Sequence, residues 1–105
     1  MRSKYGNVRT YSTLCSRWFS SKAEARRGEE LALLQKAGEI SHLEYQVKFQ
    51  LCDDPGWKES ITVDFLYKEN GKIVLEDTKG KLMADFKAKR SWLRQLTGQE
   101  IKLSK

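Results

Sequence analysis

One hundred and five residues give room for one domain with a modest core. Apolar residues at 39%, charged residues at 32% and a mean hydropathy of −0.67 place the chain in the soluble globular class. No apolar run approaches the roughly 20 residues of a membrane span, and no charged-then-apolar leader opens the chain, so a cytoplasmic location is expected. Cys15 and Cys52 stand far apart without a CxxC or His-rich neighbourhood, which argues against structural zinc and a disulfide framework. They are expected to be buried or half-buried thiols. A single histidine, His42, likewise removes His-rich metal sites and the Ser/His/Asp triad as leading ideas.

The formal charge of +6 is unevenly distributed. Residues 1–28 carry seven Lys/Arg against one acid, residues 29–78 five against eleven, and residues 79–105 eight against two. Basic flanks therefore bracket an acidic middle. Basic flanks suggest a polyanion partner, most often nucleic acid, whereas an acidic centre repels DNA unless something cationic sits there. A bound metal ion would reconcile the two.

In chain order, residues 1–12 read as a basic, polar arm with turn residues Gly6 and Asn7. Ser21-Lys22-Ala23-Glu24 fits a capping box, and good helix formers continue to Gly38, predicting a helix over 22–37. Phe19 or Trp18 is placed to anchor its start. Leu43, Tyr45, Val47, Phe49 and Leu51 alternate with polar residues, predicting a half-buried strand over 43–51. Asp53-Asp54-Pro55-Gly56 reads as a loop. Two strands, 61–69 and 72–79, flank Asn70-Gly71, a type I′ hairpin signal that Gly80 closes. A second helix is predicted over 84–97, with Phe86, Trp92, Leu93 and Leu96 as its apolar members and Gly98 as its stop. Ile101 and Leu103 suggest a short final strand. The fold expected is α/β: a single small domain over residues 1–105, a mixed sheet flanked by helices in the order helix, strand, hairpin, helix, strand.

A two-residue turn at Asn70-Gly71 pairs Glu69 with Lys72 and sets Asp64 against Asp77 and Thr62 against Lys79. Asp64, Asp77 and Lys79 then share one face, and Glu76 points to the other. Leu66, Leu75 and Ile73 make the carboxylate face partly apolar as well. Opposed carboxylates are destabilising unless a cation or a shared proton relieves them. An ordinary surface charge cluster is the other account of these residues, but acids at the edge of a partly buried face usually have a partner, which favours a site. Glu24 lies on the helix side of Leu31 and Leu34, with Gly28 permitting close approach to the sheet, so it is directed toward the sheet. A helix glutamate plus two strand aspartates supplies hard oxygen ligands suited to magnesium or manganese.

Asp64 followed by Asp77-Thr78-Lys79 on the returning strand resembles the PD-(D/E)xK nuclease signature, with Val63 where proline often stands and Asp77 as the DxK acid. The chain is similar to a family of small phage and prophage endodeoxyribonucleases of that superfamily. The resemblance runs through Ser3-Lys4-Tyr5-Gly6-Asn7, Phe19-Ser20-Ser21-Lys22-Ala23-Glu24-Ala25, Ala37-Gly38-Glu39-Ile40-Ser41, Gln46-Val47-Lys48-Phe49, Val63-Asp64-Phe65 and Glu76-Asp77-Thr78-Lys79-Gly80. It implies a mixed sheet flanked by helices and a magnesium site at the central hairpin. Asp64 and Asp77 would be metal ligands, Glu24 the helix glutamate that completes the site, Lys79 the group that orients or activates water, and Gln46 a further polar site residue.

The function expected is metal-dependent hydrolysis of DNA phosphodiester bonds in a bacterial host cytoplasm, with branched or recombination intermediates of phage DNA as the substrates considered. The alternative is a nucleic-acid-binding module that keeps the fold without cutting. Lys81, Lys87, Lys89, Arg90 and Arg94 are the expected phosphate contacts, each balanced against a solvated helix face. Tyr5 and Tyr11 are the stacking candidates, and Trp92 is expected in the core. One active site per chain makes a homodimer the expected route to cutting both strands.

Overall fold

The helix and turn signals in the sequence fix most element boundaries in the computed structural model, which describes residues 8–78 and 82–104. Tyr5, Lys79, Gly80 and Lys81 lie outside the described residues, and with them the roles expected of these four. Helix α1 (Lys22–Lys36) starts where Ser21 accepts the Glu24 backbone N–H at 3.1 Å, and it ends at Ala37 ahead of Gly38. Strand β4 (Trp57–Glu69) returns as β5 (Lys72–Thr78) through Asn70 and Gly71, at φ +54° and +77°, the type I′ geometry their side chains permit. Helix α2 (Ala84–Thr97) stops at left-handed Gly98, whose N–H donates to the Arg94 carbonyl.

Two expectations change at the ends of elements. The segment read as an arm contributes β1 (Thr10–Ser12), paired antiparallel with β2 (Arg17–Phe19). Three-residue strands are too short for alternation to stand out of a basic composition, yet they bury Ser12 and Phe19 against α1. The segment read as a loop is a tight turn: β3 (Ser41–Asp54) runs into Pro55-Gly56 and pairs Asp54 with Trp57. Gly56 supplies the positive φ of +83°.

The main sheet has the order β3-β4-β5-β6, with β6 at Ile101–Ser104. The first two pairings are antiparallel, while β6 returns from α2 to lie parallel to β5. This is the mixed sheet of a small α/β domain, preceded by the separate β1-β2 hairpin.

Two apolar clusters hold the helices to the sheet. Leu31, Ala25 and Phe19 pack with Phe65 and Tyr67, flanked by Leu43 and Tyr45. Leu93 of α2 packs with Leu51, Ile61, Val63, Leu75 and Ile101, flanked by Phe49 and Leu66. Each of these large buried side chains contributes about 1.5–3 kcal/mol. A Cβ on Gly28 would stand 2.7 Å from Phe19 Cζ and 3.4 Å from Phe65 Cε1, so its missing side chain is what lets α1 approach so closely. Leu96 is 56% exposed and Ile73 is also exposed, against the expectation that they help to bury their faces. Leu93 supplies the α2 contact, and Trp92 is half-buried, its ring 5.7 Å from that of Trp57. No helix among the described residues is long and apolar enough to cross a membrane.

The apolar alternation of β3 and β4 is unbroken in sequence, but cluster membership changes midway. Tyr45 and Phe65 belong with α1, whereas Phe49, Ile61 and Val63 belong with α2. The ladder keeps one register through this point, from Tyr45↔Phe65 to Val47↔Val63. Between them Gln46 adopts φ +53°, a left-handed conformation within a strand. Such a residue turns the backbone, so neighbours two apart cease to share one face. Gln46 and Asp64 therefore occupy the pivot of the sheet.

Candidate functional site

The site is assembled around that pivot. Glu24, in the first turn of α1, is 3% exposed. Its carboxylate does not turn back along the helix to complete a capping box. Instead Oε1 accepts from the Ser20 hydroxyl, and Oε2 accepts from Gln46 Nε2 at 2.8 Å. The same Gln46 amide donates to Asp64 Oδ1 at 3.2 Å, so one –NH2 group ties the helix acid to the strand acid.

The hairpin register predicted from the turn holds from Glu69↔Lys72 to Phe65↔Glu76. Beyond it the carboxylates replace the ladder. Asp77 Oδ1 accepts the Asp64 backbone N–H at 2.8 Å, and Asp64 Oδ2 accepts the Thr78 backbone N–H at 2.9 Å. The two aspartates are thus interlocked through side chain and backbone rather than opposed as a plain cross-strand pair. This arrangement satisfies backbone donors that the diverging strands no longer pair. Asp77 is fully buried, Asp64 and Thr78 are half-buried, and Gln46 is exposed, so the cluster meets solvent at Gln46 and Asp64.

Electrostatics follow from this crowding. Burial pushes the Asp64 carboxyl up to about 7, the Thr78 N–H opposes the rise, and the charges of Asp77 and Glu24 add to it. On the other alternation of β5, Glu76 is fully buried and receives the Arg27 guanidinium at 2.5 and 3.0 Å and the Tyr67 hydroxyl at 2.7 Å. Burial alone would raise its carboxyl, but these donors outweigh it and hold Glu76 below its ordinary value. Glu76 does point away from Asp77, as the alternation requires. Its partners were missed, although a buried acid on an apolar face demands a cation and Arg27 lies three residues beyond Glu24. Ser20 was also missed, and nothing in its local pattern distinguishes it.

The donor set suits a hard divalent cation: three carboxylates, all oxygen, with Asp64 disfavoured as an anion by its burial and then by the charges of Asp77 and Glu24. Glu24, Asp64 and Asp77 would hold such an ion. Among the described residues, however, no group of three or more His, Cys, Asp or Glu side chains is drawn together tightly enough to form a ready metal cage. The Gln46 amide lies between Glu24 and Asp64 and occupies that role toward both carboxylates.

The expected phosphate contacts divide. Lys87, Arg90 and Arg94 share one face of α2 and, with Ser91 and Glu100, line a groove. Arg94 stands 3.5 Å from Glu100. Lys89 belongs elsewhere, 3.3 Å from Glu59 and 3.6 Å from Asp85, and the Glu59 contact holds its ammonium above the ordinary range. One hundred degrees of rotation per residue removes it from the face of its neighbours.

Neither the curated proteins nor the solved structures gave a match to this chain. A family model described as a protein of unknown function, DUF1064, matches residues 2–104, and the chain belongs to that family.

Proposed function

We propose that this protein is a metal-dependent endodeoxyribonuclease. The observation that carries the reading is the junction of Glu24, Gln46, Asp64 and Asp77 at a pivot of β3 and β4, just where β4 and β5 lose their regular pairing. Backbone strain and crowded acids are costly, and they are retained where chemistry uses them. A magnesium or manganese ion, when bound by Glu24, Asp64 and Asp77, would supply charge neutralisation at the phosphate and a more acidic water. The Thr78 N–H and the interlocked aspartates fix the Asp64 carboxylate, so its oxygens need little reorganisation. Gln46 orients Glu24 and Asp64 toward each other. Lys79 is assigned, by its resemblance to the DxK lysine, to orienting or activating the attacking water. Lys87, Arg90 and Arg94 grip phosphates flanking the acidic centre. The basic flanks and acidic middle thereby serve one substrate, and a homodimer would allow both strands to be cut. Structure-specific action on branched or recombination intermediates is part of this reading.

The test is cleavage of supercoiled, branched and single-stranded DNA with magnesium or manganese, with Asp77→Ala and EDTA controls. We expect metal-dependent cutting that falls by at least about 100-fold in the variant. A second reading, a nucleic-acid-binding module without catalysis, draws support from the Gln46 amide that already satisfies Glu24 and Asp64. Retained DNA binding without cleavage of any substrate would establish that second reading in place of the first.

A further inference from the structure

The β1-β2 hairpin presents an aromatic surface that the core does not require. Its inner face is secured independently: Phe19 is buried against α1 and β4, and Ser12 donates to Glu29 at 2.7 Å while accepting the Cys15 N–H. Arg17 lies on the same side, over the rings of Phe19 and Tyr45. On the outer face, Tyr11 pairs across the ladder with Trp18. Their rings stand edge to face at 5.3 Å, yet they remain 49% and 51% exposed. Exposed Arg9 lies over the Trp18 ring at 4.8 Å from its centroid. Two large rings set edge to face, with a guanidinium over one of them, thus form a patch open to solvent.

Cross-strand aromatic pairs do stabilise hairpins, by roughly 0.2–1 kcal/mol. That role does not account for the exposure of both rings, the arginine laid on Trp18, or the charge of the surrounding chain. Residues 8–28 carry five Lys/Arg against one acid. That acid is Glu24 of the candidate site, and Ser20, two residues beyond Trp18, hydrogen-bonds to it. At about 3.3 Å per residue, Trp18 and Ser20 are separated by about 7 Å of extended chain. The aromatic patch is therefore two residues along the chain from the serine that contacts the acidic cluster.

We propose that Tyr11, Trp18 and Arg9 form a stacking platform for the unpaired bases of a DNA strand, delivering a single-stranded segment to the neighbouring acids. The inference rests on the nuclease reading and gives its substrate class: DNA with unpaired nucleotides. The chemistry fits because base faces stack on aromatic rings without regard to sequence, while basic side chains follow the phosphates. A peptide or a lipid surface has no comparable series of flat rings joined by anions.

The test measures fluorescence anisotropy of labelled oligothymidylate and of a duplex with the same number of phosphates. Both are measured in EDTA, with the full-length protein. Trp18→Ala is expected to weaken single-strand binding about 5- to 100-fold while leaving duplex binding within about twofold, and Trp18→Phe should retain most of the affinity. Circular dichroism of each variant controls for folding, and Leu14→Ala, at the exposed hairpin turn, serves as a matched surface change. Equal losses on both DNAs, no loss on either, or tighter binding of oligouridylate than of oligothymidylate would overturn the proposal. Cleavage is scored separately. Single-strand binding that depends on Trp18 without any cutting upholds the platform and removes the nuclease. Cutting that is indifferent to Trp18 and to unpaired substrate does the reverse.

Discussion

Gln46 and Asp64 face each other at the centre of the β3-β4 pair, and the Gln46 amide bonds both to Asp64 at 3.2 Å and to Glu24 at 2.8 Å. Its backbone is left-handed at φ +53°, which costs a non-glycine residue roughly 1–2 kcal/mol. The strand therefore carries local strain at the position where its side chain links helix α1 to the hairpin.

That strain has a signature in stability. Gln46→Ala loses the amide and keeps the strain, whereas Gln46→Gly loses both. We expect the glycine variant to be more stable than the alanine variant by about 1 kcal/mol in urea denaturation, the reverse of the usual order inside a strand. Equal stabilities would show that φ +53° is not imposed by the fold.

Asp64 makes stability depend on pH in an unusual direction for a carboxylate. Its folded value of about 7 lies above the ordinary 3.8, so between these values the folded state holds a proton that the unfolded state releases. This contribution is fully present below pH 4 and is lost as pH rises through 7. Asp64→Asn should thus gain stability relative to wild type between pH 5 and pH 8, by about 1–2 kcal/mol once solvent screening is allowed for. Magnesium should act oppositely and raise the melting temperature of wild type more at pH 8 than at pH 5. At a concentration ten times its Kd the ion adds about 1.4 kcal/mol, and Asp64→Asn or Asp77→Asn should abolish the gain. Differential scanning fluorimetry across pH, with and without magnesium, checks both directions.

Arg27 and Glu76 form the supporting pair behind the site. Replacing Arg27 by Met leaves a fully buried carboxylate without its cation, and we expect a loss of about 3–5 kcal/mol. Glu76 is held below its ordinary value, so its contribution is present above about pH 4.5 and is lost as pH falls through the folded value. The penalty of Arg27→Met should accordingly shrink toward acid pH, which urea titrations at pH 4 and pH 7 would reveal.

On α2, the groove residues and Lys89 should separate experimentally. Alanine at Lys87, Arg90 or Arg94 should each reduce the salt dependence of DNA binding by about 0.9 in the slope of log K against log salt. Alanine at Lys89 should leave the slope unchanged, because its ammonium is engaged by Glu59 and Asp85. Anisotropy titrations between 50 and 200 mM salt, roughly the range over which the effect is large, make the comparison.

Local rules in the sequence determined the parts of this protein that depend on near neighbours. Ser21 and Gly38 bound one helix, Gly98 ends the other, and Asn70-Gly71 sets a hairpin register that carries from Glu69↔Lys72 to Phe65↔Glu76. Caps and turns act over three or four residues, so their signals survive in a single chain. The same alternation placed Asp77 and Glu76 on opposite sides of β5. The inward course of Glu24 was also legible, from its spacing to Gly28 and Leu31. Only the tertiary structure decided what these residues meet. Arg27 reaches Glu76 across 49 positions, and Gln46 reaches Glu24 across 22. The short β1-β2 pair became recognisable through Phe19 in the core. The turn of the sheet at Gln46 left the apolar alternation of β3 intact, because a periodic pattern records which residues are buried but not against which helix. Packing of α1 and α2 on different stretches of the same strands supplies that second choice, and the acids gather where one stretch gives way to the other.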